Sequence, residues 1–263
     1  MLKNSLFWEI DSPEIDHKSY IFGKIHLYRE SHAEIMKRVE TIIESVDKVF
    51  TEASLEINPD KSLYQLPPNM DLIDLIGIHK YDRVKMILKK SLDFNLDHFK
   101  KALPLMTNQQ ITLHVMGLTQ YPPIDALIYQ SALRHEKEYS GIETLGEQME
   151  ILQKIPIEYQ SRSLVKMSRN IKGFRKKIAH MIDLYDQQKI TLLYKSSKKE
   201  MGELRKLLLY DRNIVLANRI SNFHKEAKSF FTFGAGHLAG NGGVLALLKR
   251  KGLSIKAITN RDL

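Results

Sequence analysis

Two histidines occupy matching motifs near opposite ends of the chain. Residues 20–27 and 231–238 both follow the pattern aromatic-x-Phe-Gly-x-x-His-Leu, with His26 and His237 at the histidine position. An imidazole next to a glycine-containing turn can bind a metal ion or transfer a proton. The repeated motif predicts that the two imidazoles meet across one cleft.

A glutamate completes a candidate metal site. His26 follows a predicted strand at 19–25, and Glu52 lies at the end of a predicted strand at 48–53, with an amphipathic helix between them. The parallel strands of such a βαβ unit place both residues at the same edge of a sheet. Two imidazoles and one carboxylate can bind a divalent metal and leave positions for water and substrate. The chemistry predicted for His26, Glu52 and His237 is therefore metal-assisted hydrolysis.

A second carboxylate, Glu143, follows a short predicted strand at 140–142. It is a candidate further metal ligand, or the general base that takes a proton from the attacking water. Thr144 and Glu147 after it form a capping-box pattern, which predicts the start of a helix. Glu143 is therefore expected at a strand end, as is Glu52.

Other interpretations of these motifs remain open at this level. Each histidine could instead be a strand-end residue that is hydrogen-bonded to the backbone. The glycine-rich segment 234–243 resembles a dinucleotide-binding loop, but His237 falls inside the turn and no βαβ unit follows. The sequence contains no H-E-x-x-H motif, no G-x-S-x-G motif and no P-loop.

Apolar runs and helical spacing predict the elements that position these residues. Strands are predicted at 6–10, 19–25, 48–53, 140–142, 229–233 and 253–258. Ser31 and Glu34 form a capping-box pattern for the helix after His26, and Asn241 is the predicted cap of a helix that begins near Val244.

The middle of the chain reads as mostly helical. Residues 70–116 are predicted to form helices separated at Pro104, another helix is predicted from Pro122, and residues 158–228 are predicted to form three or four helices. In the last region Arg212 and Asn213 share a predicted helix whose buried side is Leu204, Leu207, Leu208 and Val215. The predicted fold class is α/β, with a mixed sheet and a large helical insertion at about 70–228 within one domain, 1–263.

Composition excludes several classes of protein. The chain contains no cysteine, which excludes disulfides, cysteine-ligated zinc and cysteine nucleophiles. It has no run of about 18 apolar residues, so we expect no membrane span and, for the sequence as given, a cytoplasmic protein. The formal net charge is +9, and residues 151–230 contain 18 Lys and Arg against 7 Asp and Glu. Because this excess lies in a helical pattern, solvated helix faces are favoured over a nucleic-acid surface.

Several blocks of the sequence together resemble the TraB/GumN family, to which the Tiki proteases are related. They cover nearly the whole chain in the family's order. The blocks are F-W-E-I at 7–10, F-G-K-I-H at 22–26, V-F-T-E at 49–52, G-I-E-T-L-G-E-Q at 141–148, D-R-N at 211–213 and the glycine-rich segment at 234–248. One departure is Lys24, where the family usually has a small Thr or Ser.

The resemblance implies a fold like that of erythromycin esterases and ChaN-like haem-uptake proteins, in which the two G-x-x-H motifs meet. For the Tiki branch it implies peptide cleavage that depends on a divalent metal, with Mn or Co favoured and Zn as a further candidate. His26, Glu52 and His237 match the motif positions of the metal ligands, and Glu143, Arg212 and Asn213 match blocks to which we assign catalytic roles.

The role of Arg212 has two alternatives: it stabilises an oxyanion or a substrate carboxylate, or it forms a buried salt bridge between its helix and the sheet. The function also has alternatives. The first is a metal-dependent hydrolase acting on a peptide or protein, and the second is a non-catalytic peptide-binding protein of the pheromone-shutdown type. Nucleic-acid binding through the basic helices is the third and weakest.

Overall fold

The computed structural model of the protein describes residues 3–25, 28–54, 61–117 and 122–259. The chain forms two compact units, which are described separately below. The sheet unit comprises Met1–Ile57, Tyr121–Gln148 and Met181–Leu263, and the helical unit comprises Asn58–Gln120 and Met149–His180. The single domain expected from the sequence stays a prediction.

The described residues contain one six-stranded sheet. Its strands are β1 (Phe7–Asp11), β2 (Ser19–Lys24), β3 (Lys48–Ala53), β4 (Glu138–Glu143), β5 (Ser229–Gly234) and β6 (Ser254–Ala257). They lie in the order β4-β3-β5-β2-β1-β6. The first four in this order pair in parallel, whereas β1 is antiparallel to both β2 and β6. The predicted α/β class with a mixed sheet is therefore confirmed, and β1 and β2 form a hairpin.

Strand β5 lies at the centre of the parallel strands, between β2 and β3. Phe230, Phe231 and Phe233 of this strand are fully buried, so they belong to the sheet core. Phe231 stacks on Phe50 of β3 with ring centroids 5.2 Å apart, and Phe230 lies 6.4 Å from Phe22 of β2. The apolar run that predicted this strand therefore reflects a parallel strand covered on both faces.

The helices of the described residues follow the predicted pattern. They are α1 (Ala33–Glu44), α2 (Leu72–Ile76), α3 (Ile78–Leu92), α4 (Pro104–Val115), α5 (Ile124–Arg134), α6 (Leu145–Gln153), α7 (Ile157–Ser168), α8 (Ile171–Asp186), α9 (Ile190–Met201), α10 (Arg212–Glu226) and α11 (Val244–Arg250). Pro104 occupies the first position of α4, where its missing N–H costs no hydrogen bond. No helix in the described parts of the chain is long and apolar enough to span a membrane.

Two of the three predicted helix caps are wrong. Ser31 lies inside a 3₁₀ turn, Glu30–His32, so the chain is already turning before α1, which begins at Ala33 without a side-chain cap. Asn241 lies in a turn closed by a hydrogen bond from the Gly243 N–H to the Gly240 carbonyl at 3.0 Å. This turn makes Gly243 the residue that precedes α11.

The third cap is confirmed. The Glu147 N–H donates to Thr144 Oγ1 at 3.2 Å, and the Thr144 N–H donates to Glu147 Oε2 at 2.8 Å. This reciprocal pair satisfies two backbone donors at the start of α6.

The helix predicted to carry Arg212 and Asn213 does not continue back to Leu204. A π-helical segment, Lys206–Asp211, precedes α10, which begins at Arg212. A π turn contains more residues than an α turn and therefore changes which side chains face inward. Val215 is consequently 37% exposed while Leu216 is fully buried, so the predicted buried side is wrong at Val215.

The helical unit has a core of its own. Leu72 of α2, Leu88 of α3, Ile111 of α4 and Leu164 of α7 are completely buried within one apolar cluster. Asp71 caps α2 in a reciprocal pair with Asp74. These four helices therefore bury a common apolar surface, as their spacing of apolar residues predicts.

Candidate functional site

The candidate residues of the sheet unit collect at the carboxyl edge of the parallel strands. Lys24 at the end of β2 lies opposite Gly234 at the end of β5. Ala53 at the end of β3 lies opposite Glu143 at the end of β4. Because parallel strands end at the same edge, Lys24, Glu52, Glu143 and the turn after Gly234 are brought together.

His237 lies in the 3₁₀ turn that follows β5, and it is buried. Its Nδ1 is 2.6 Å from Asn213 Oδ1, and Asn213 Nδ2 donates to the Gly242 carbonyl at 2.6 Å. Since a carbonyl only accepts, this second bond fixes the amide with its oxygen toward the imidazole. Nδ1 of His237 therefore carries the proton, and Nε2 is the nitrogen suited to a ligand role.

Glu52 extends from the end of β3 toward the same turn. Its Oε1 accepts from Arg212 Nη2 at 2.5 Å, and its Oε2 accepts from the Gly234 N–H at 3.2 Å. A Cβ added at Gly234 would lie 3.4 Å from the Cδ2 of His237 and 3.9 Å from Glu52 Oε2. The imidazole and the carboxylate thus face the same side of Gly234, which has no side chain to separate them.

Arg212 connects the two carboxylates. Its Nε donates to Glu143 Oε1 at 3.1 Å and its Nη2 donates to Glu143 Oε2, while the same Nη2 also reaches Glu52. Burial disfavours the charged guanidinium, but the negative charges of Glu52 and Glu143 outweigh this effect and raise the pKa of Arg212. In the structure Arg212 forms a buried salt bridge that connects its helix to the sheet, and its oxyanion role stays a prediction.

Lys24 is the residue that sequence reasoning missed. Its side chain is only 1% exposed, and its Nζ lies 2.8 Å from Asp125 Oδ1 and 3.8 Å from Glu52 Oε2. Sequence analysis treated it only as a departure from a motif. The signal was a lysine at the end of a buried apolar strand, because buried lysines are rare unless they are paired.

A second ion pair supports the Glu143 end of β4. Arg219 of α10 donates to the Ile142 carbonyl at 2.9 Å and to both oxygens of Glu147 at 2.7 and 2.5 Å. These hydrogen bonds from Arg219, together with those from Thr144, lower the pKa of Glu147 to about 2. The residue before Glu143 is therefore fixed to α10 independently of Arg212.

His26 lies outside the described residues, so the meeting of the two histidines stays a prediction. Within the described residues no group of three or more His, Asp or Glu side chains is arranged to hold a metal ion. The described part of the site supplies one oriented imidazole, His237, and one carboxylate, Glu52. These donor types suit a divalent transition metal, and the role of His26 as a third ligand stays a prediction.

Comparison with known proteins agrees with the motifs. The model of the TraB/PrgY/gumN family matches residues 6–257 of this chain. The Metalloprotease TIKI2 of Danio rerio is 24% identical, in an alignment that covers 96% of this chain and 61% of that relative. The chain therefore spans less than two thirds of the length of this relative. No solved structure matches the chain.

Proposed function

Because this chain belongs to the TraB/PrgY/gumN family, we propose that it is a metal-dependent hydrolase that cleaves a peptide or protein substrate with water. The similarity to a protein named as a metalloprotease supports this reaction class. The observation that carries the proposal is the orientation of His237 by Asn213, next to Glu52 at the carboxyl edge of the sheet.

In this proposal His26, Glu52 and His237 bind the metal, with Mn or Co favoured and Zn as a further candidate. A divalent ion held by these residues would supply an acidified water and would polarise the scissile carbonyl. Asn213 positions His237 by accepting a hydrogen bond from its Nδ1–H, which is the outer support that metal-binding histidines commonly have. The Gly234 N–H and Arg212 orient the two oxygens of Glu52.

We assign the proton of the attacking water to Glu143 and stabilisation of the developing oxyanion to Arg212. Both oxygens of Glu143 accept from Arg212 in the structure. Each oxygen keeps a further lone pair for the water, and release of one oxygen by Arg212 when substrate binds would also free an N–H of Arg212 for the oxyanion. Glu52 and Glu143 share this guanidinium, so substrate binding and carboxylate orientation are coupled in the proposed mechanism.

Metal analysis of the untagged protein tests the proposed site. We expect a stoichiometric divalent metal in the wild type and its loss in the His26→Ala/His237→Ala double variant, with an unchanged circular dichroism spectrum. A matched control is His79→Ala/His180→Ala, which removes two exposed histidines of the helical unit. Equal metal content in the site variant and the wild type would contradict the proposed ligands.

A second candidate function is peptide binding without turnover. It is favoured by the cations that already contact Glu52, namely Arg212 at 2.5 Å and Lys24 at 3.8 Å. This function predicts saturable peptide binding that a chelator does not change. Incubation with a peptide library, followed by mass spectrometry with and without chelator, separates the two: products formed only without chelator exclude the binding protein.

A further inference from the structure

A groove in the helical unit combines an apolar floor with a basic rim. It has a volume of about 540 Å³ and lies along α7, facing α2 and the start of α3. Leu75, Ile76 and Val165 supply apolar side chains. Ile76 belongs to the buried core of this unit, so the floor of the groove is the outer surface of a packed cluster.

The rim carries four cations and one anion. Three of the cations lie on one face of α7: Arg162 and Lys166 within the helix and Arg169 directly after it. The fourth is Lys80 of α3. Glu158 is the acidic side chain among the lining residues. The positions 158, 162, 166 and 169 are spaced by four, four and three residues, which places them on the same side of α7.

These charges are not neutralised by the protein. All five side chains are exposed, and within the described residues none of them makes an ion pair or a side-chain hydrogen bond. Other cations of this unit do form ion pairs, as Lys85 does with Asp97 and Lys100 does with Asp71. The groove therefore presents an excess of positive charge next to apolar surface that stays accessible.

We propose that this groove binds an acidic peptide segment that has apolar residues between its carboxylates. The carboxylates would pair with Arg162, Lys166, Arg169 and Lys80, and the apolar side chains would cover the floor, as when an amphipathic helix enters a groove. Nucleic acid is a poorer match because the described residues that line the groove include no aromatic side chain to stack on bases. The apolar side chains that line the groove are less exposed than the charged ones, which suits an inserted peptide side chain better than a flat lipid surface.

Fluorescence anisotropy with a synthetic peptide tests the proposal. The probe is a labelled peptide of about 16 residues with Glu on one helical face and Leu on the other. Charge reversal by Arg162→Glu/Lys166→Glu should weaken its binding about tenfold or more, since attraction at two positions becomes repulsion. The matched control, Lys172→Glu/Lys176→Glu, makes the same charge change at exposed positions of α8 that do not line the groove. It should weaken binding by less than about twofold.

Three further probes decide between the ligand classes. A peptide of the same charge with Ser in place of Leu should bind more weakly, because it leaves the apolar floor uncovered. Single-stranded DNA of equal charge and vesicles containing phosphatidylserine should not compete with the labelled peptide. The proposal is overturned if the peptide does not bind saturably, if both charge-reversal variants weaken binding equally, or if DNA or vesicles displace the peptide. Binding should persist in His26→Ala/His237→Ala, so its failure is distinguishable from failure of the proposed hydrolase.

Discussion

Replacement of Lys24 by Met tests whether the carboxyl edge depends on a buried cation. Met keeps most of the length and apolar volume of the side chain and removes only the ammonium. The Nζ of Lys24 is 2.8 Å from Asp125, whose side chain is 16% exposed, and 3.8 Å from Glu52, whose side chain is 14% exposed. The substitution therefore leaves two carboxylates in a mostly buried site with one cation fewer.

The expected loss of stability follows from this geometry. Removal of one member of a buried ion pair costs about 3–5 kcal/mol, because the remaining charge stays desolvated without its partner. Glu52 keeps its bond to Arg212, and Asp125 retains some contact with solvent. We therefore expect a decrease of about 3 kcal/mol in the free energy of unfolding, at the lower end of that range.

Urea denaturation followed by circular dichroism measures this change. A Lys24→Met/Asp125→Asn double variant should lose less stability than the sum of the two single changes, since both remove the same interaction. Lys48→Met is a matched control on β3, because Lys48 also pairs with a carboxylate, Glu138, at 2.9 Å but the carboxylate is 65% exposed. This control should change the free energy of unfolding by less than about 1 kcal/mol. A loss below about 1 kcal/mol for Lys24→Met as well would refute the buried ion pair.

Three other substitutions test the surroundings of the site. Burial lowers the pKa of His224, so the folded state favours the neutral imidazole. The free energy of unfolding should therefore fall as the pH drops below about 6.5. His224→Gln should reduce this fall, measured as the urea midpoint at each pH. Glu147 has a pKa of about 2, so its contribution is present above about pH 4.5 and is lost toward pH 2. Glu147→Gln should therefore lower the free energy of unfolding by about 1 kcal/mol near neutral pH, because the Glu147 side chain is 40% exposed and its ion pair with Arg219 is partly screened. The same substitution should have no effect near pH 2. Asn213→Ala removes the fully buried partner of His237, which should cost about 1–3 kcal/mol and reduce the metal content; unchanged metal content would argue against the positioning role.

Local sequence patterns predicted the strands of the sheet well. The run at 48–53 coincides with β3, and the run at 229–233 gives all but the last residue of β5. Strands that are buried on both faces contain nearly uninterrupted runs of apolar residues, and such a run can be recognised within a few neighbouring positions of the sequence. The insertion of β5 between β2 and β3 was not predictable in this way, because it depends on pairing between residues that are about 180 (β3 with β5) and 210 (β2 with β5) positions apart in the chain.

The ion-pair partners of the site residues could not be predicted from the sequence. Lys24 and Asp125 are separated by 101 positions, and Glu52 and Arg212 by 160. Spacing rules apply to residues on one element, so they do not indicate which distant cation a strand-end carboxylate will meet. The buried face of α10 was predicted wrongly for a different reason. The π-helical segment before it changes the helical period, and this segment contains no proline or glycine that would mark the change in the sequence.

The start of α10 is the element that organises the carboxyl edge. Arg212 and Asn213 are consecutive, and they point to different partners: Arg212 contacts Glu52 and Glu143, and Asn213 contacts His237. The helical backbone is continuous from the π-helical segment into α10, and Asp211 and Arg212 both have right-handed helical dihedral angles. The partial positive charge of a free helix end is therefore not what Arg212 responds to. The two carboxylates at the ends of β3 and β4 explain it instead, because they supply the negative charges that a buried guanidinium needs. The π-helical segment sets the position at which α10 begins, and that position brings Arg212 to the two carboxylates and Asn213 to His237.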